Sequence, residues 1–289
     1  MSQKRVGNYI YLVMPMIVIM GMIIGWPLIQ TFIFSFTDAT LLDIEPASFV
    51  GIKNFIDAFK NSGFQSSMKI SAQFAAFVVA SEVILGTSVA LLLNQPLKGV
   101  KTIRVFLILP WAVPTVVNGL IWRLIYNPEY GALNSILYQM GWINNYMSWL
   151  GNPNRALWAI IFADVWKNFS LVSMIVLAAL QSIPESQLEA AVIDGANSWQ
   201  KFWSITFPYI IPSLQVATTL RIIEAVKVFD VIFVMTKGGP ANKTRSASIF
   251  IYQEAFTNSR IGSGAAYAII MVLFIVLLVL FYLRLLKKD

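Results

Sequence analysis

The sequence predicts an all-α integral membrane protein with about six transmembrane helices. Two features of its 289 residues predict this. First, 57% are hydrophobic and only 12% charged, about half the charged share of a soluble domain, with a mean hydropathy of +0.69. Second, the apolar residues fall in long runs, and about 20 in succession cross a hydrocarbon layer of roughly 30 Å as a helix. Lipid offers no partner to an open strand edge, so the runs read as helices. They cover residues 9–36, 69–93, 103–126, 156–180, 209–235 and 264–286, within a single membrane domain over residues 1–289.

The first run follows Lys4 and Arg5 as a signal peptide would. It continues far beyond the length of a signal core and meets no small-residue cleavage site, so it reads as a retained span. Pro15, Pro27, Pro110, Pro114 and Pro212 fall inside runs, where each kinks a helix or marks its end. The connections 38–68 and 127–155 are long and external in this reading. The second reads as a short surface helix anchored by Trp142, Tyr146 and Trp149. Cations nearly balance across the two sides, but their density favours the segment Gln95–Arg104 and both chain ends as cytoplasmic.

Several chemistries drop out. The chain has no Cys and no His, so disulfides, thiolate or imidazole metal sites and a Ser-His-Asp triad are excluded. The net charge of +7 sits mostly at the ends of apolar runs, which suits helix anchoring beside anionic lipid rather than nucleic-acid binding. No G-x-x-x-x-G-K-[ST] cradle for nucleotide phosphates occurs, so an energy-driven transporter must draw on a partner or on an ion gradient.

Residues 181–212 form the most informative connection. Ser182 and Glu185 match a capping box with Pro184 in the first turn, and Gly195 suits a helix stop. Ser198 is placed to cap a second short helix bearing Trp199, Phe202 and Trp203, ended by Pro208. Glu189, Ala190 and Ala191, then Asp194, Gly195 and Ala196, then Phe202, Ile205, Pro208 and Pro212 resemble the EAA loop of binding-protein-dependent ABC importer permeases. Gly51–Phe55, Pro110–Pro114, Asn127-Pro128, Tyr130-Gly131, Phe229-Asp230 and Thr236–Pro240 extend the resemblance to the carbohydrate, maltose-type branch in its short six-helix form. The resemblance implies a bacterial or archaeal plasma-membrane subunit and coupling of residues 181–212 to the ATPase. It also implies its partners: a second, unlike permease subunit, two ATP-binding-cassette subunits holding ATP and Mg, and an extracytoplasmic solute-binding protein delivering a sugar.

Charges inside apolar runs cost roughly 2.5–3.5 kcal/mol each at a helix centre, so Glu82, Arg123, Asp164, Lys167, Arg221, Glu224, Lys227 and Asp230 must pair or face water. The last four alternate in sign at every third residue, which allows Arg221–Glu224 and Lys227–Asp230 pairs. They line a translocation path, neutralise one another, or lock this chain to a partner permease. Asn118, Trp122, Tyr126 and Phe229 are sugar-contact candidates, because rings pack on sugar C–H faces while amides bond hydroxyls; core or lipid packing is the other reading. A stand-alone transporter driven by an ion gradient is the alternative function, disfavoured by six spans without inverted-repeat halves.

Overall fold

The computed structural model describes residues 13–43, 47–96 and 98–286. The start of the first expected span and Lys4, Arg5, Lys287 and Lys288, on which the sidedness of the chain ends rests, lie outside them. Apolar runs fold as helices. Among the described residues there is no strand, and the one β-bridge joins Thr37 to Phe49.

In chain order the helices are α1 (Val13–Phe34), α2 (Lys53–Lys60), α3 (Ser62–Leu93), α4 (Val100–Ala112), α5 (Thr115–Ile125), α6 (Ala132–Gln139) and α7 (Ala156–Leu180). They continue as α8 (Glu185–Ile193), α9 (Ser198–Lys201), α10 (Phe207–Val226), α11 (Asp230–Met235), α12 (Ala247–Tyr252) and α13 (Ile261–Leu286). Four described helices, α1, α3, α7 and α13, are long and apolar enough to cross a membrane, and the bent pair α4–α5 makes a fifth. The expected run at 209–235 supplies α10, whose 20 residues include Gln215, Thr218, Thr219, Arg221 and Glu224 and are correspondingly less apolar.

Two of the expected spans are broken, each for a local reason. Pro114 disfavours the helical region for the residue before it. Val113 is extended there, at φ −71° and ψ 128°, and α4 meets α5 at 95°. The run at 209–235 is not continuous either: α10 ends at Val226, Lys227 leaves helical geometry at ψ 16°, and the chain re-enters as α11 at Asp230. Backbone freed from a helix at membrane depth needs other partners. Here Ser246 Oγ donates to the Val228 carbonyl at 2.8 Å and Ser248 Oγ to that of Lys227 at 3.0 Å.

The chain divides into two compact units. The first comprises Met1–Gln65 and Phe250–Leu273. Within it Asn54 donates to the carbonyls of Ser35 and Thr37, and the amide of Gly262 donates to the Ala39 carbonyl at 2.9 Å. A Cβ at position 262 would stand 2.0 Å from the Thr37 carbonyl oxygen, so only glycine fits. None of the α1 span window is buried.

The second unit comprises Ser66–Ile249 and Phe274–Asp289. Its core joins Phe74, Val78, Ile160, Ala163, Val226, Val231 and Ile232, with a second apolar cluster around Leu93, Val176, Leu180 and Ile210. Where α3 packs on α7, a Cβ on Gly86 would meet Val172 Cβ at 2.8 Å and the Phe169 carbonyl at 2.9 Å. Gly86→Leu is therefore expected to separate the helices and cost about 1–3 kcal/mol, read as an earlier thermal melt of the purified protein.

Candidate functional site

Arg221 on α10 is fully enclosed and meets three carboxylates from three helices. Its Nε and Nη2 donate in parallel to Oε2 and Oε1 of Glu82 on α3, the second at 2.9 Å. Nη2 also donates to Asp164 Oδ2 on α7 at 3.0 Å, and Nη1 to Glu224 Oε2 one turn along α10. The fork of a guanidinium matches a carboxylate face on, which is why arginine suits such a position. Glu82 is wholly buried and Asp164 nearly so, whereas the Glu224 side chain is 53% exposed. Three walls of the unit are thereby tied at one cation.

Beside this cluster lies a cavity of about 270 Å³. Asp164, Lys167 and Asn168 from α7, Arg221 and Glu224 from α10, and Lys227, Phe229 and Asp230 from the break line it. Trp111 and Thr115, on either side of the α4–α5 bend, and Phe74 complete the wall. Both broken spans thus border one polar hollow, where unwound backbone such as that at Lys227–Phe229 is tolerated at membrane depth.

The sequence candidates for substrate contact divide. Glu224, Lys227, Phe229 and Asp230 line the polar cavity. Asn118, Trp122 and Tyr126 do not. Asn118 is buried and donates to the Ala163 carbonyl at 3.2 Å, and the Tyr126 hydroxyl donates to the Ala159 carbonyl at 3.2 Å. Trp122 and Tyr126 line a separate cavity with Ile125, Leu133, Trp149, Trp158 and Phe162, whose wall offers a sugar few polar partners. Trp149, expected as a surface anchor, packs on the core and donates Nε1–H to Asn134 Oδ1 at 2.9 Å. Of the two expected charge pairs on the 209–235 run, Arg221–Glu224 forms. Lys227 and Asp230 make no ion pair among the described residues, because the helix ends between them. Glu82, Asp164 and Arg221 are recognisable in the sequence as intramembrane charges; their convergence is not, because i,i+3 spacing reports only neighbours on one helix.

The 181–212 segment has its own rigid geometry. α8 follows Pro184, which occupies the N-cap, while Ser182 Oγ turns back to the Ala179 carbonyl at 2.7 Å. The expected Ser182 capping box is therefore absent: the chain between Ser182 and Glu185 is turned by the proline. α8 closes in a Schellman motif, with Ala196 N–H on Ala191 O at 2.9 Å and Gly195 N–H on Val192 O at 3.0 Å. Gly195 has φ +77°, a region that favours glycine.

Asn197, one residue before the expected Ser198, caps α9 in a reciprocal box with Gln200. Pro208 does not end this second helix. A π turn at Phe202–Thr206 carries it into α10, with Pro208 in the first turn of α10, where its missing N–H is absorbed. Ile183 is buried and Leu188 packs beside it on the second core cluster, while Gln187 donates to the Tyr209 hydroxyl at 2.8 Å. Outward stand Glu189, Ala190, Val192, Asp194 and Gly195, with Ile193 at 86% exposure and Trp199 at 69%; Ala191, Ala196 and Phe202 are half-buried.

Spans broken around a polar hollow, with a capped apolar knob between two of the helices, define the membrane part of a transporter. The family described as "Binding-protein-dependent transport system inner membrane component" matches residues 82–288, and the chain belongs to it. That membership sets aside the stand-alone ion-gradient transporter. Among its relatives, the trehalose/maltose transport system permease protein MalF of Thermococcus litoralis is 37% identical over 94% of this chain and 91% of its own. The sulfoquinovosyl glycerol transport system permease protein SmoG of Agrobacterium fabrum is 32% identical over 97% and 91%. In fold the chain resembles a bacterial ABC transporter involved in import of the acidic polysaccharide alginate. The TM-score is 0.85 at 22% identity, over 99% of this chain and 98% of that one.

Proposed function

We propose that this permease carries a sugar or oligosaccharide across the plasma membrane of a bacterium or archaeon as half of a heterodimeric pore. Residues 181–212 dock on one of two ATP-binding-cassette subunits, which hold ATP and Mg, and an extracytoplasmic binding protein delivers the sugar. Both chain ends are cytoplasmic in this arrangement. ATP hydrolysis belongs to the partners, since the sequence has no phosphate cradle.

The observation that carries the reading is the cavity at the two broken spans. Its volume of about 270 Å³ falls just below the roughly 300–1,000 Å³ usual for small-ligand sites. Its wall combines carboxylates, an amide and ammonium groups with the rings of Trp111 and Phe229, the mixture that sugar hydroxyls and C–H faces require. Relatives named for trehalose and maltose, and for starch degradation products, support a carbohydrate.

The test is reconstitution of the full complex in liposomes with its binding protein. Sugar-loaded binding protein is expected to raise ATP hydrolysis several-fold, and Phe229→Ala to reduce sugar uptake at least 10-fold while the complex still assembles. Full uptake by that variant would remove the cavity from the path.

A further inference from the structure

We propose that a second polar cavity, at the other end of the α5–α11 pair, is an entry subsite for a sugar ring on its way to the first. The proposal rests on the carbohydrate reading and adds a binding site to it. α5 packs on α11 through Gly119, where a Cβ would stand 3.0 Å from Val234 Cγ1. Thr115 and Asp230 line the first cavity near one end of this pair. Arg123, roughly 12 Å further along α5 at the helical rise, lines the second with Asn127, Ser148, Thr236, Gly239 and Pro240. Its volume of about 450 Å³ falls inside the range usual for small-ligand sites. The connections that follow α5 and α11 supply most of its wall. Both are external in the proposed arrangement, on the face where the binding protein releases sugar.

Buried polar residues hold both connections in place. Asn134 is wholly buried and donates Nδ2 to the carbonyls of Asn127 at 3.3 Å and Met147 at 2.9 Å. Its Oδ1 accepts from the Met147 amide and from Trp149 Nε1, so the wall at Asn127 is fixed to the wall around Ser148. On the other side Thr244, also wholly buried, donates to the Gly239 carbonyl at 2.6 Å and lies 2.7 Å from Thr236 Oγ1. A site preorganised in this way loses little to ordering when a ligand enters. Its side chains offer donors in excess. Arg123 makes no ion pair among the described residues. Its one hydrogen bond there is long, Nη1 to the Val234 carbonyl at 3.4 Å, which leaves four of the five N–H groups of a guanidinium. Asn127 commits Oδ1 to the amides of Glu129 and Tyr130 and keeps Nδ2 for a ligand. No carboxylate lines the cavity. The planar fork of Arg123 suits a pair of adjacent oxygens, which vicinal sugar hydroxyls present, and Pro240 offers an apolar edge to a sugar C–H face.

The experiment uses the assembled complex in nanodiscs without the binding protein. A neutral gluco-oligosaccharide carrying a diazirine is photolysed in its presence, and labelled peptides are mapped by mass spectrometry. Labels are expected at residues 123–151 and 236–240 as well as around the first cavity, and excess unlabelled oligosaccharide is expected to remove both sets. Arg123→Met is expected to lower labelling of the second cavity roughly 10-fold, the effect of one lost charge-assisted hydrogen bond, and to leave the first set in place. Ser148→Tyr, which fills the cavity from an exposed position, is expected to do the same. Labelling confined to the first cavity, or labelling of the second that neither variant lowers, overturns the entry subsite and leaves the carbohydrate reading standing. Competable labelling of neither cavity, in a complex that assembles and hydrolyses ATP, overturns the carbohydrate reading itself.

Discussion

Arg221→Ala is expected to be the most damaging single substitution in the second unit. It strands Glu82 and Asp164, both buried, without their cation. Breaking a buried pair by removing one partner costs about 3–5 kcal/mol, a large fraction of a typical stability of about 5–15 kcal/mol. The observable is a sharp loss of monodisperse protein after detergent extraction and a lowered melting temperature. Removing the stranded charges as well, as Arg221→Met with Glu82→Leu and Asp164→Asn, is expected to restore much of the melting temperature, since apolar replacement of a buried ion cluster is often neutral. A single Arg221→Ala variant as stable as the parent would show that the cluster does not hold α3, α7 and α10 together.

The second large effect concerns the proposed docking knob. Gly195 has φ +77°, and a Cβ there would have no heavy atom within 4 Å, so Gly195→Val meets no clash and acts through its backbone alone. A left-handed conformation costs an ordinary L-residue about 1–2 kcal/mol, and a β-branched one is an outlier there. The strain falls on the Schellman closure that sets α8 against α9. Membrane insertion is expected to persist while stimulated ATP hydrolysis and uptake fall at least 10-fold. Ile193→Glu separates docking from strain, because this residue is almost fully exposed and its loss removes little from the fold. Wild-type uptake by both variants would dismiss the knob as the coupling element.

Much of the fold is legible in the sequence because lipid simplifies it. Residues 156–180 coincide with α7, since one apolar run between polar ends permits one helix. Hydropathy starts the second span at Lys69, yet α3 begins at Ser62: its first turns are polar enough to pass for a loop, although Phe64 and Ser67 are buried. The breaks are only half visible. Pro114 announces the first, but nothing in Val226–Asp230 announces the second, whose carbonyls are satisfied by Ser246 and Ser248 about twenty residues further along.

The site shows the same division. Glu224, Lys227, Phe229 and Asp230 stand out through their local pattern, and they do line one cavity. The deeper wall is hidden, because Glu82, Asp164 and Arg221 lie 82 and 57 residues apart along the chain and meet only through packing. Asn118, Trp122 and Tyr126 fall four residues apart, but Asn118 and Tyr126 bond to α7 carbonyls rather than to the cavity. Residue type suggests sugar contact there; only packing shows which way the face points.

The most direct measurement is uptake of a labelled neutral oligosaccharide by liposomes containing the reconstituted complex, with and without internal ATP and the binding protein. Uptake that requires both is the predicted result. Uptake by this chain alone, without ATP and driven by an imposed ion gradient, would contradict the account.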